Sequence, residues 1–198
     1  MKVYFNMSIE GFSNSYIITN EDTMEALVID PGKISFDMID QIEKDGYKLS
    51  AILITHNHSS HVRGLKTLCS IYEPEIFASD YEVAGEKTIL LKGDGVFKAA
   101  GLDIAYYSVP GHTPDSVVYE IGQIFFTGDT LSACMLGTTS SRHSELMLIT
   151  NIQAKLACRQ TDILVMPGHG PPSTLAAEKK FNMAFGMLSY GKNKDLEK

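Results

Sequence analysis

There is no tryptophan in this 198-residue chain, and its only three cysteines, Cys69, Cys134 and Cys158, form no Cys-x-x-Cys pair. An odd, scattered set of thiols speaks against a disulfide framework and for reduced cysteines in a cytoplasmic protein. No apolar run approaches the roughly 18 residues that a membrane span requires, so no membrane partner is expected. Residues 1–16 hold one lysine and no continuous apolar stretch, which makes them a poor secretory signal. Basic clusters are missing as well. Lysine and arginine number 17 against 24 aspartates and glutamates, a formal charge of −7, and a chain of that sign is badly matched to a phosphate backbone. No nucleic-acid partner is expected.

What is present is ordinary globular material, 44% hydrophobic and 21% charged, of a length that suits one domain over residues 1–198. Residues 16–19 and 25–29 are apolar and partly β-branched, and Asn20-Glu21-Asp22 reads as the turn between two strands. Residues 51–54 are wholly apolar, the mark of a strand buried on both faces. Further strands are expected at 76–78, 104–109, 117–119, 123–126 and 163–166. Helical spacing of Ile34, Met38, Ile39 and Ile42 predicts a helix over 34–44 that ends before Gly46. Others are predicted over 62–71, 145–157 and 174–188, with Met183, Met187 and Leu188 as core contacts of the last. A frayed polar tail follows from about residue 190. Strands and helices alternate in each half, so two sheets covered by helices is the economical architecture.

Five of the six histidines follow directly on expected strands. Residues 51–55 lead into His56-Asn57-His58-Ser59-Ser60-His61, 104–110 into Gly111-His112, and 163–167 into Gly168-His169, while 124–127 lead into Gly128-Asp129. Strand ends in layered folds are where sites are built. His56 and His58 are two apart and share a face of an extended backbone; His58 and His61 are three apart, neighbours on a first helical turn. A strand turning into a helix would aim all three rings at one volume, and borderline cations such as zinc favour clustered imidazole and carboxylate. His143, in the polar run Ser140-Ser141-Arg142, reads as a solvated loop residue. Cys134, five residues past Asp129, reads as a small buried apolar residue, Tyr106 and Tyr107 as strand residues facing two sides, and Asp115 with Ser116 as turn caps.

Thr55-His56-Asn57-His58-Ser59-Ser60-His61, Pro110-Gly111-His112-Thr113, Phe126-Thr127-Gly128-Asp129-Thr130 and Pro167-Gly168-His169-Gly170-Pro171 together resemble the metallo-β-lactamase fold superfamily, and within it the glyoxalase II-like hydrolases. Asn14-Ser15-Tyr16 and Asp30-Pro31-Gly32 are similar to that family's opening strands, so the likeness runs in order from about residue 12 to residue 182. The resemblance implies an α/β fold, a four-layer αββα sandwich with a metal site at one edge between the sheets. It implies that His56, His58 and His112 hold a first metal with Asp129 bridging, and that His61 and His169 belong to a second. In hydrolytic members a metal-bound hydroxide attacks an ester, thioester or amide carbonyl. That implies catalytic roles for His56, His58, His112 and Asp129, a small-molecule substrate, and one or two divalent ions, zinc first, with iron and manganese accepted by the same donors.

The chain departs from the family at several points. Ser60 stands where the pattern His-x-His-x-Asp-His has its acid, and a neutral hydroxyl is a poor ligand without counter-charge, so the second site should be weakened. Arg63-Gly64 replaces a glycine pair, which puts a cation near the metal mouth in sequence and makes Arg63 the candidate substrate contact. Gly137-Thr138 replaces Gly-Arg, Asp115 replaces the glycine of His-Thr-Pro-Gly, and the residues past 190 leave no room for the helical substrate domain of glyoxalase II. Substrate identity is therefore not implied, and without an export signal a true β-lactamase is not expected. Three functions compete: a hydrolase of a small thioester, ester or lactone; a mononuclear iron oxidoreductase similar to the persulfide dioxygenases, using His56, His112 and Asp129; and a catalytically impaired metal-binding protein.

Overall fold

Strands that are apolar at every position must bury both faces, and here the two faces supply different cores. The computed structural model describes residues 1–186. Its first half runs β1 (Lys2–Met7), β2 (Asn14–Asn20), β3 (Glu25–Ile29), α1 (Phe36–Glu43), β4 (Lys48–Leu53), α2 (Ser59–Val62), α3 (Leu65–Ile71), β5 (Glu75–Ala78), β6 (Glu82–Val83), β7 (Glu86–Lys87) and β8 (Ile89–Leu90). The second half runs β9 (Gly95–Ala99), β10 (Leu102–Ser108), β11 (Val117–Ile121), β12 (Ile124–Gly128), β13 (Leu131–Ser132), β14 (Met135–Leu136), α4 (Arg142–Asn151), β15 (Leu164–Pro167), β16 (Ser173–Thr174), α5 (Leu175–Phe181) and α6 (Met183–Gly186). One six-stranded sheet has the order β1-β2-β3-β4-β5-β8, the other β16-β15-β12-β11-β10-β9.

Alternation along each strand sorts the side chains. Tyr16 and Ile18 of β2 and Leu27 and Ile29 of β3 join Ile104, Tyr119 and Phe126 of the second sheet in the filling between the sheets. Ile17, Ala26 and Val28 face the other way, against Met38 and Ile42 of α1 and Leu65 and Leu68 of α3. On the far side Val118, Phe125 and Val165 pack under Leu148 and Ile149 of α4 and Leu175 of α5. The result is the αββα sandwich, and each buried Leu, Ile or Phe contributes roughly 1.5–3 kcal/mol of transfer free energy. Tyr106 falls in the inner cluster and Tyr107 in the outer one, the two sides expected of neighbours on a strand. Strands β12 and β15 are parallel, and β10 reaches the same direction through two antiparallel pairings, so the three carboxyl ends share one edge.

Several boundaries differ from those expected. The helix over 62–71 is split, because Gly64 turns its N–H to the carbonyl of Pro31 (2.8 Å). The helix expected over 145–157 starts earlier, where Ser141 Oγ accepts from Ser144 N, and passes into a π-helical turn over Ile152–Leu156. His143 is therefore an exposed residue of a first helical turn, not of a loop. The last helix breaks at Asn182, whose Oδ1 accepts from Ala184 N (3.0 Å), and Met183 is 69% exposed rather than part of the core. Met187, Leu188 and the tail from about 190 lie outside the described residues. Strands β1 and β6 to β9 were not legible in the pattern. Among the described residues no helix is long and apolar enough to cross a membrane.

Candidate metal centre

Four strand ends deliver the donor atoms. His56 follows β4, His112 follows β10, Asp129 follows β12 and His169 follows β15, while His58 precedes α2 in extended conformation and His61 sits within it. His56 Nε2 lies 2.9 Å from His58 Nδ1, which lies 3.1 Å from His112 Nε2. Asp129 Oδ2 is 3.8 Å from His56 Nε2 and 3.6 Å from His112 Nε2. A second group forms on the other side of the same carboxylate: His61 Nε2 is 3.4 Å from Asp129 Oδ1 and His169 Nε2 is 3.5 Å from Oδ2. Metal–nitrogen bonds of about 2.0–2.1 Å in a tetrahedral array place neighbouring donors roughly 3.3–3.4 Å apart. The observed spacings bracket that value. Within each group all donor atoms lie within 4.8 Å of one another.

The rings are held from behind. His112 Nδ1 donates to the Thr138 carbonyl (2.7 Å) and His169 Nδ1 to the Phe12 carbonyl (2.9 Å). Asp30 accepts from His61 Nδ1 (2.9 Å), from Thr55 N (2.8 Å) and from Thr55 Oγ1 (2.6 Å). Because Thr55 spends its hydroxyl proton on Asp30, its oxygen accepts from His56 Nδ1 (3.1 Å). Each of these bonds occupies Nδ1 and turns Nε2 inward, where it is free to ligate once deprotonated. Inward nitrogens gathered on either side of one carboxylate suit cations held between them. His61 Nε2 and Asp129 Oδ1 are, moreover, buried without hydrogen-bond partners, a state that costs about 1–3 kcal/mol per group and that a bound cation relieves. The donor set fits a divalent ion.

Burial, together with the neighbouring His61, pushes His56 down to about 3, so it is neutral at working pH. His58 is lowered by burial and by His112. For His61 burial acts downward, but the Asp30 and Asp129 carboxylates outweigh it and raise the ring to about 10. For Asp129 burial acts upward and the surrounding imidazoles, His61 foremost, hold it at about 2.

Close backbone approach leaves glycine at two points. Gly128 has φ +50°, and a Cβ there would lie 2.3 Å from Thr55 Oγ1; a Cβ on Gly168 would lie 2.5 Å from His61 Cε1 and 2.6 Å from Asp129 Oδ1. Ser60 occupies the first turn of α2, where its carbonyl accepts from Ser13 Oγ (2.7 Å). Arg63 lies outside both groups, exposed and 3.3 Å from Glu10 Oε2. Cys134 is neither buried nor a donor: it is exposed at the turn of the β13–β14 hairpin with φ +60°. Asp115 does not cap its own turn but accepts from Asn57 N (2.8 Å), bracing the segment between His56 and His58. The holders Asp30, Thr55, Thr138 and Phe12 escaped the sequence reading. Asp30 alone left a signal, as an acid directly after a buried strand in a segment already matched to the family.

An αββα sandwich with a histidine-rich donor cluster at its strand ends defines a class of metal-centre fold. The chain belongs to the metallo-beta-lactamase superfamily, whose family model matches residues 9–172. An uncharacterized protein of Treponema pallidum (strain Nichols) is 30% identical over 176 residues, 88% of this chain and 94% of that one. A hydroxyacylglutathione hydrolase of Albidiferax ferrireducens is 31% identical over 134 residues, 65% of this chain and 52% of that relative, so the chain spans about half that enzyme's length. The crystal structure of ETHE1 from Myxococcus xanthus has a TM-score of 0.84 at 23% identity, covering 98% of this chain and 92% of that one, a likeness of fold.

Proposed function

We propose that this protein is a metal-dependent hydrolase of a small thioester, ester or lactone. The observation that carries the reading is the position of Asp129, with Oδ1 toward His61 and Oδ2 toward His56, His112 and His169. One carboxylate thus stands between two sets of imidazoles. His56, His58, His112 and Asp129 would hold a first ion; His61, His169 and Asp129 would hold a second, zinc first, with iron or manganese suiting the same donors. Such an ion polarises a carbonyl and lowers the pKa of coordinated water toward roughly 7. As the single carboxylate of both groups, Asp129 would be the residue to accept a hydrogen bond from the attacking water and orient it. Ser60 supplies no charge at the position of the family's acid, so the second ion is held by three residues and more weakly. The test is turnover of a thioester, ester and lactone panel by protein loaded with zinc, iron or manganese, wild type beside Ser60→Asp. Hydrolysis with about one ion per chain, and higher metal content in Ser60→Asp, is expected. Inactivity of both forms on every substrate with every metal overturns the reading in favour of a metal-binding protein.

A second reading, an iron oxidoreductase similar to the persulfide dioxygenases, draws on the weakness of the second group, which favours one ion held in the first. His56, His112 and Asp129 make a 2-His-1-carboxylate set suited to a single Fe(II). Oxygen uptake with glutathione persulfide by anaerobically loaded Fe(II) protein separates the two.

A further inference from the structure

We propose that the substrate's acyl portion is uncharged and apolar, and that it lies in a trough leaving the metal centre along the β13–β14 hairpin. The inference rests on the hydrolase reading above. A recess of about 230 Å³ has Asp129 and His169 in its wall together with Leu136, Gly137 and Thr138. A second recess, of about 380 Å³, begins at the same Leu136, Gly137 and Thr138 and continues past Met135 to Met183. Leu136, Gly137 and Thr138 line both, so the two recesses adjoin, and the proposed trough runs past these residues from the donor atoms outward. In the outer recess Met135 is 64% and Met183 69% exposed, so both offer apolar surface to a guest lying there. Methionine adapts its shape to an irregular apolar guest.

Charge points the same way. No lysine or arginine lines either recess among the described residues, and the acid of the outer one, Glu145, is engaged by Arg142 at 2.7 Å. A conjugate carrying free carboxylates finds no lysine or arginine there, whereas an alkyl chain can lie against Met135, Leu136 and Met183. The wall is also held in place. Buried Glu178 accepts from Cys134 N with both oxygens (3.1 Å each), and Asn182 Nδ2 donates to the Met135 carbonyl (3.1 Å). The trough is preformed, so binding there requires little ordering of the hairpin.

The experiment has two readouts. In the first, kcat/KM is measured for acetyl, butyryl, hexanoyl and octanoyl thioesters of N-acetylcysteamine and for a glutathione thioester. In the second, calorimetry gives Kd for the ethyl and octyl thioethers of N-acetylcysteamine on the metal-loaded protein. A gain of about fourfold per buried methylene is expected in both until the trough is filled. Met183→Glu, a change at an exposed position that leaves the core intact, should flatten both series. Turnover without chain-length dependence, or a preference for the glutathione thioester, overturns the trough and spares the hydrolase. Chain-length-dependent binding without turnover of any substrate keeps the trough and sinks the hydrolase. Neither turnover nor graded binding overturns both.

Discussion

The Asp30 carboxylate accepts twice from Thr55 and once from His61, so an asparagine there would aim an amide N–H2 at groups that already donate. Asp30→Asn should weaken metal binding roughly 10–100-fold, read by competition with a chelator. Two rings give the metal-free protein opposite pH dependences. His56 binds its proton near 6.5 when unfolded but only near about 3 when folded, so acid favours the unfolded chain and stability falls as pH drops below about 6.5. His61 runs in the opposite sense: its stabilisation is complete below about 6.5 and is lost as pH rises through about 10. The Tm of chelator-treated protein should therefore peak near pH 6.5, with His56→Gln flattening the acid limb and His61→Gln the alkaline one. The donors were legible because His56, His112, Asp129 and His169 each stand within three residues of an expected apolar run, with His58 and His61 following His56. Their holders were not, since the Thr138 and Phe12 carbonyls belong to no residue type and Asp30 reads locally as a strand stop.

At the scale of the element, α1 depends on Ser35, whose Oγ accepts from Met38 N (3.3 Å). Ser35→Ala should lower stability by about 1 kcal/mol in chemical denaturation without altering metal content. Elements such as β3 and β4 declared themselves because both their faces are buried and their runs are continuously apolar. Strand β9 did not: Val96 and Lys98 face solvent while Phe97 packs inward, and a glycine opens it. The splits at Gly64 and Asn182 were equally hidden. Each arises from a hydrogen bond, to the distant Pro31 carbonyl in one case and from Ala184 N to the Asn182 side chain in the other, that the helical period does not record.

For the whole molecule, a cation bound only by the folded chain stabilises it by mass action, about 2.7 kcal/mol when free metal stands at about 100 times Kd. Stripping the metal should lower the calorimetric Tm, and restoring zinc should return it. The αββα order was legible because alternating strands and helices in each half leave few other ways to bury two-faced sheets. That the strand-end loops build one site was legible from their positions, while the sharing of donors between two ions came only through the resemblance. One carboxylate, Asp30, grips His61 directly and His56 by way of Thr55, so both rings are riveted to the same anchor. The gap between the two seats is thus set by one side-chain brace rather than by whatever sits in them. Growth in zinc-rich or iron-rich medium is expected to change the metal found by elemental analysis while the fold, read by circular dichroism, stays the same.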